Sequence, residues 1–281
     1  MFLRVRRIAL LFLCSAHVAA AQATPPDTTK VIPDSRLFHK GDLWALGAFT
    51  VATVAMFPLD RHMASVIRDE DFVTNRKLNE AAKAFRFFGG IGPFLIGGSM
   101  YAVGRVAHIP RAAELGLHGT EALVVGMGVS GAIKTLLGRQ RPYLSADTNP
   151  RNFVFGRGFR SGEFQSFPSG HTTIAFAAAS AVSAETAEWW PHTRWIIGPV
   201  LYTGATLVGV SRIYHDRHWA SDVVMGAAVG TFAGLKTVRF NHTHSGNRMD
   251  RWFLGEGRVS QHLGVLIGND GSVGLASRWK F

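Results

Sequence analysis

Apolar stretches separated by polar punctuation run through most of the chain, at 43–58, 90–108, 113–137, 171–187, 195–212 and 221–238. None alternates with a period of two. Ala, Gly, Leu and Val dominate, with small residues at the spacing that close helix contacts require. The pattern predicts six helices. Between the first two, 60–88 mixes charged and apolar residues at helical spacing, which predicts an amphipathic surface helix. The connection at 138–170 is rich in Arg, Gly, Pro and Phe, and loops of that length in compact domains tend to be functional. The C-terminal pattern is different. Leu263 to Ile267 and Ser272 to Phe281 alternate on either side of Gly268-Asn269-Asp270-Gly271, which reads as a short β-hairpin.

The first 21 residues stand apart from these elements. Arg4, Arg6 and Arg7 precede an apolar run beginning at Ile8, and Ala19-Ala20-Ala21 offers a small-residue cleavage site. That is the form of a secretory signal peptide. Its apolar run falls short of the ~20 residues that cross a bilayer. Residues 22–42 then read as a polar linker, 43–240 as the helical domain and 241–281 as a tail. Of 281 residues, 47% are apolar and 17% charged, which excludes a disordered chain. The one cysteine, Cys14, excludes a disulfide-stapled secreted domain. It falls inside the leader, so the mature chain is free of cysteine and suits an oxidising envelope compartment. The net charge is +11. In an exported chain, anionic lipid or an anionic substrate accounts for that charge more simply than nucleic acid does.

Three clusters carry chemistry. Lys134 lies near the end of an apolar helix and is followed by Arg139, Arg141 and Pro142. This is either an anion site or a set of cations that complement a helix dipole. Pro168-Ser169-Gly170-His171 opens the next apolar run. A helix start of this kind offers free N–H groups and a hydroxyl to a phosphate, and also fits an ordinary N-cap. Ser211-Arg212 ends one apolar run, and His218 and Asp222 precede and open the next. Four residues apart, His218 and Asp222 share a helical face, so the carboxylate can hold one imidazole nitrogen and leave the other free. The alternative is a polar turn between helices, which also covers His215, Asp216 and Arg217. Antiparallel neighbours would bring all three clusters to one end of the bundle, as an anion site with a nucleophile and an acid.

Taken together, these residues resemble the signature of the type 2 phosphatidic acid phosphatase (PAP2) superfamily, which also holds bacterial acid phosphatases and vanadium haloperoxidases. Lys134, six residues, Arg141-Pro142; then Pro168-Ser169-Gly170-His171; then Ser211-Arg212, five residues, His218, three residues, Asp222 reproduce it without substitution. The resemblance covers about 43–240 and implies an all-α six-helix bundle. It also implies roles. His218 takes the phosphoryl group, Asp222 orients His218, and His171 protonates the leaving oxygen and then activates water. Lys134, Arg141 and Arg212, with Ser169 and the Gly170 amide, hold the phosphoryl oxygens, and Arg139 supports them from the same loop. No metal or other cofactor is expected, vanadate entering only under a haloperoxidase reading. His118 and Glu121 read as helix-packing or interfacial groups, and His242 and His244 as solvent-facing.

The expected function is hydrolysis of a phosphomonoester or pyrophosphate, of a lipid because the helices are apolar. A soluble phosphomonoesterase, a vanadate-dependent haloperoxidase and a non-enzymatic envelope bundle are the alternatives. The expected setting is a bacterial-type cell envelope, exported and facing the periplasm, integral to a membrane or associated with one. Topology strains this reading. After a cleaved leader, six full spans would leave the catalytic end in the cytoplasm. At about 16 residues, 43–58 is short for a span, and Glu114, His118 and Glu121 interrupt 113–137.

Overall fold

The computed structural model describes residues 36–70, 74–145, 149–244, 246–255, 262–267 and 273–278. The expected signal peptide at 1–21 and most of the 22–42 linker lie outside these residues. Eight α-helices follow in order: α1 Lys40–Ile67, α2 Arg76–Phe88, α3 Ile91–Val106, α4 Pro110–Leu137, α5 Gly170–Trp189, α6 Arg194–Tyr214, α7 Ala220–Thr243 and α8 Arg248–Phe253. Three single-turn 3₁₀ helices, including Pro142–Leu144, punctuate the connection between α4 and α5.

The six-helix expectation is corrected to eight among the described residues: the six apolar stretches become α1 and α3 to α7, α2 falls in the segment expected to be amphipathic, and the short α8 lies in the tail. The first apolar stretch ends at Pro58, yet α1, 28 residues long, runs through it. Proline costs a helix one N–H and a clash, and an apolar helix tolerates this where neighbours compensate. The residues from 60 to 67 therefore belong to α1, and the expected amphipathic helix is confined to α2. Asn75 starts α2 by accepting the Leu78 N–H at 3.1 Å. Gly89 and Gly90 then separate α2 from α3, and the two helices meet at a 44° bend.

Close approach fixes the centre of the bundle. Helix α7 lies against α5 through Gly226, Gly230 and Gly234, one face at four-residue spacing. A Cβ at Gly230 would sit 2.3 Å from the Thr173 carbonyl oxygen, and one at Gly226 would sit 2.6 Å from that of Ser169. No side chain fits there. Leu123, Ile174, Ala177 and Ala233 pack together where α4, α5 and α7 meet. Ala175, Ala179, Ala205 and Val208 join α5 to α6. The outer faces are apolar instead. Leu43, Trp44, Val51 and Val54 of α1 are exposed, as are Val124, Val125 and Val129 of α4.

Four described helices, α1, α4, α6 with its preceding turn, and α7, are long and apolar enough to cross a membrane, and the bent α2–α3 pair makes five if it counts as one span. At ~1.5 Å per residue, the 28 residues of α1 reach ~42 Å, so α1 is not short. The acids of α4 do not interrupt it either, since it continues unbroken from Pro110 to Leu137. Residues 244–281 form a separate compact unit. Within it, Asn247 caps α8, and β1 (His262–Ile267) pairs antiparallel with β2 (Val273–Arg278), Leu263 opposite Ser277. The turn expected at Gly268–Gly271 lies outside the described residues.

Candidate active site

Four helix ends meet at one end of the bundle. Lys134 comes from the last turn of α4, Ser169, Gly170 and His171 from the start of α5, Arg212 from the last turn of α6, and His218 and Asp222 from the turn into α7. Gly138 ends α4 in the left-handed region at φ 59°, and a Cβ there would meet the Val154 carbonyl oxygen at 2.0 Å. The chain can thus fold the 138–170 connection back over the helix end.

His218 is buried and its Nδ1–H donates to the Ser166 carbonyl at 2.8 Å. A carbonyl only accepts, so the proton is on Nδ1 and Nε2 keeps its lone pair. Asp222 Oδ2 is further from Nδ1, at 3.5 Å. The carboxylate acts on the imidazole through a long hydrogen-bonding contact and through charge, while the closer Ser166 carbonyl fixes the ring. Asp222 itself is held on several sides. Ser166 Oγ donates to it at 2.6 Å and the Trp219 N–H at 2.8 Å, and Arg139 Nη1 completes the set. Burial pushes the His218 imidazole down to about 3, against the opposing pull of Asp222. It is neutral at physiological pH, the form a nucleophile needs.

Arg139 does more than support the loop. Fully buried, it binds Asp60 at 2.8 Å through Nη2, Ser221 Oγ at 2.7 Å through Nη1, and the Pro150 carbonyl at 2.9 Å through Nε. Phe57, Phe153, Phe167 and Trp219 box its plane at 4.8 to 5.9 Å. Asp60 Oδ1 also accepts the Ser221 N–H at 2.8 Å. Asp60, Arg139 and Asp222 therefore form one buried chain of charge that ties α1 to α7 beneath His218. Asp60 and Ser166 are the functional residues that sequence reasoning missed. Ser166 acts largely through its backbone, which no residue pattern encodes. Asp60 lies far from the motifs in sequence, at the start of the segment that reads as amphipathic, where an acid draws no notice.

The cations differ in how they are held. Lys134 Nζ donates to the carbonyls of Gln165, at 3.0 Å, and Pro168. Arg141 Nε donates to the Gly162 carbonyl at 3.1 Å. Arg212 is 6% exposed, and its Nε and Nη1 have no hydrogen-bond partner among the described residues. A buried guanidinium left so costs free energy unless an anion completes it. Burial, then the charges of Arg212, Arg86, Lys134 and Arg141, hold His171 down at about 3. The Ser169 hydroxyl accepts from Thr172 Oγ1 at 2.8 Å, and the Ser169 N–H donates to the Asp222 carbonyl at 2.9 Å. A Cβ on Gly170 would lie 3.4 Å from Lys134 Cε. Lys134, Arg141 and Arg212 act electrostatically on His171, and Lys134 and Arg141 also on His218, so these groups share one strongly positive end of the bundle.

The PAP2 superfamily profile matches residues 116–245. Over this stretch, just under half of the chain, the sequence is similar to the PAP2 superfamily. Over 89 residues it is 44% identical to the lipid A 1-phosphatase of Porphyromonas gingivalis, across 31% of this chain and 19% of that protein. Over 126 residues it is 29% identical to the undecaprenyl-diphosphatase of Sulfolobus acidocaldarius, across 44% of this chain and 58% of that protein. The chain thus spans less than two thirds of either relative. The crystal structure of a transmembrane PAP2-type phosphatidylglycerolphosphate phosphatase from Bacillus subtilis has the same fold. Its TM-score is 0.50 at 19% identity, over 74% of this chain and 98% of that one.

Two residues outside the PAP2 motifs belong to the pocket's surroundings. Arg86, exposed on α2, acts electrostatically on both His171 and Arg212. Asp216, expected to be part of a plain polar turn, pairs with Arg68 at 3.0 Å and so joins the end of α1 to the turn before α7.

Proposed function

We propose that this protein is a membrane-integral, metal-independent phosphatase of the PAP2 type that hydrolyses a lipid phosphomonoester or pyrophosphate through a phosphohistidine on His218. The buried Arg212, whose Nε and Nη1 have no hydrogen-bond partner among the described residues and whose charge is felt by His171, carries this reading. It marks a place where an anion of phosphate size completes the structure. The four apolar helices favour a lipid over a soluble phosphoester, because their exposed faces put the pocket beside hydrocarbon. The names of both curated relatives point the same way, since each is a phosphatase of a lipid.

In this mechanism the neutral His218 Nε2 attacks phosphorus while Lys134, Arg141, Arg212, the Ser169 hydroxyl and the Gly170 amide take up charge on the equatorial oxygens. The incoming phosphate dianion opposes the positive field that keeps His171 neutral, so His171 gains a proton as substrate binds. It passes that proton to the leaving oxygen and afterwards takes one from water. Asp222 balances the positive charge that develops on His218.

The general-acid role is tested by the leaving group. A lipid alcohol needs protonation as it departs, and nitrophenolate needs little. His171→Ala is expected to lose ~100-fold or more in kcat/KM on an alkyl phosphate and much less on nitrophenyl phosphate. Equal losses on both substrates would remove His171 from that role. Diphosphate use has its own test. Arg86→Ala is expected to raise KM for a lipid diphosphate by ~3–10-fold while leaving the monophosphate nearly unchanged, because its charge lies just outside the pocket. Equal effects on both would make Arg86 a general part of the field.

A further inference from the structure

The sequence reading assigns His118 to helix packing and His242 to solvent. The structure places them together with Glu185, at the end of the bundle away from the phosphate pocket. His118 lies 16 residues before Lys134 on α4, about 24 Å along a helix, and His242 lies 20 residues beyond Asp222 on α7, about 30 Å. His118 Nδ1 is 3.3 Å from Glu185 Oε1, and His242 Nε2 is 3.0 Å from Glu185 Oε2. One nitrogen or oxygen from each of the three residues falls within 4.8 Å of the others. His118 and Glu185 are fully buried, and the His242 side chain is 28% exposed.

We propose that His118, Glu185 and His242 form a zinc site that clamps α4, α5 and α7 together. The argument is one of charge and donor chemistry. Glu185 is a fully buried carboxylate, and among the described residues no Lys or Arg pairs with it. Its partners are the two imidazoles, which neutralise it only by one of them becoming a cation. A divalent ion between the three groups balances the carboxylate while both imidazoles stay neutral, and two imidazoles with one carboxylate are a donor set that suits Zn²⁺. His242, partly exposed, brings the cluster to the solvent that would supply a water as fourth ligand. Alongside, Asn241 Nδ2 donates to Glu121 Oε2 at 2.6 Å, a bond between the neighbours of His242 and His118 that fixes α7 against α4. The site lies far from His218, so its metal takes no part in phosphoryl transfer.

The test uses the full-length, tag-free chain in detergent, stripped with EDTA and titrated with Zn²⁺ alone. One zinc per chain is expected, with a rise in melting temperature. Co²⁺ in its place should give the intense visible absorption of a four-coordinate ion. His242→Gln, at the half-exposed rim where folding is least at risk, should weaken zinc binding by more than ~10-fold, the loss that even changes around the ligands cause. Glu185→Gln should do the same, and His244→Ala should leave binding intact. Hydrolysis of nitrophenyl phosphate at a temperature where the stripped chain stays folded should be unaffected by EDTA. Activity lost in EDTA and restored by metal would overturn metal-independent catalysis but not the zinc site. A stripped native chain that takes up no zinc, or binding and melting unchanged in both His242→Gln and Glu185→Gln, would overturn the site and show a hydrogen-bonded triad only.

Discussion

His218→Ala is expected to abolish turnover, by ~10⁴-fold or more, on every substrate alike, while the protein remains folded. The loss is large because the variant removes the attacking atom itself, and residues that act as a unit with a nucleophile cannot substitute for it. Folding should survive because the Ser166 carbonyl and Asp222 keep other donors. Lys134 lies within reach of the Ser166 carbonyl, and Asp222 retains Arg139, Ser166 Oγ and the Trp219 N–H. Vanadate binding separates the outcomes. The variant should still bind vanadate, more weakly, because Arg212, Lys134 and Arg141 are intact. Acid-labile phosphate on the native protein, trapped during turnover and missing from the variant, completes the measurement. Near-native activity in His218→Ala would eliminate the phosphohistidine route.

The largest loss of stability is expected at a residue that contacts no substrate. Arg139→Leu leaves Asp60 and Asp222 as two buried carboxylates without their shared cation. Breaking a buried pair from one side costs about 3–5 kcal/mol, and here two pairs break together. The variant should melt far below the native chain in the same detergent, and any folded fraction should be inactive because Asp222 is no longer held. Arg139→Lys should rescue only part of this. A lysine offers a single point of charge, and the guanidinium reaches Asp60, Asp222, Ser221 and the Pro150 carbonyl at once. A double-mutant cycle between Arg139→Leu and Asp60→Asn should show strong coupling, the second change relieving part of the damage of the first. An Arg139→Leu protein as stable as the native one would mean that the pairs carry no net stability.

The phosphate pocket was legible in the sequence because each of its motifs is short and sits at a helix end. Lys134 to Pro142, Pro168 to His171 and Ser211 to Asp222 are each confined to one turn or loop, so spacing alone shows which side chains share a place. The supports were not legible, since they come from across the bundle. Asp60 reaches Arg139 from α1, which runs beyond the apolar stretch that marked it, and Ser166 holds His218 through a carbonyl that any residue has and Asp222 through a hydroxyl that no motif includes. His118 and His242 looked unrelated for the same reason: their meeting point is Glu185, on a third helix. Helix number also escaped, because α8 has only six residues and too little apolar periodicity for hydropathy to mark, while caps and glycines set the bounds of α2.

The glycine face of α7 changes how a mutational survey of this protein should be interpreted. Gly226 faces the backbone of Ser169, and Gly230 faces that of Thr173 and Ala177 just beyond, so neither has room for a Cβ. An alanine there forces two helices apart and pulls the Ser169–His171 arm from the His218–Asp222 arm. Scored by activity alone, these glycines would rank beside Asp222 and be mistaken for chemical participants. Scored by the amount of folded protein in the membrane, they would separate from it, because a missing carboxylate spoils a reaction whereas a surplus methyl group spoils an assembly.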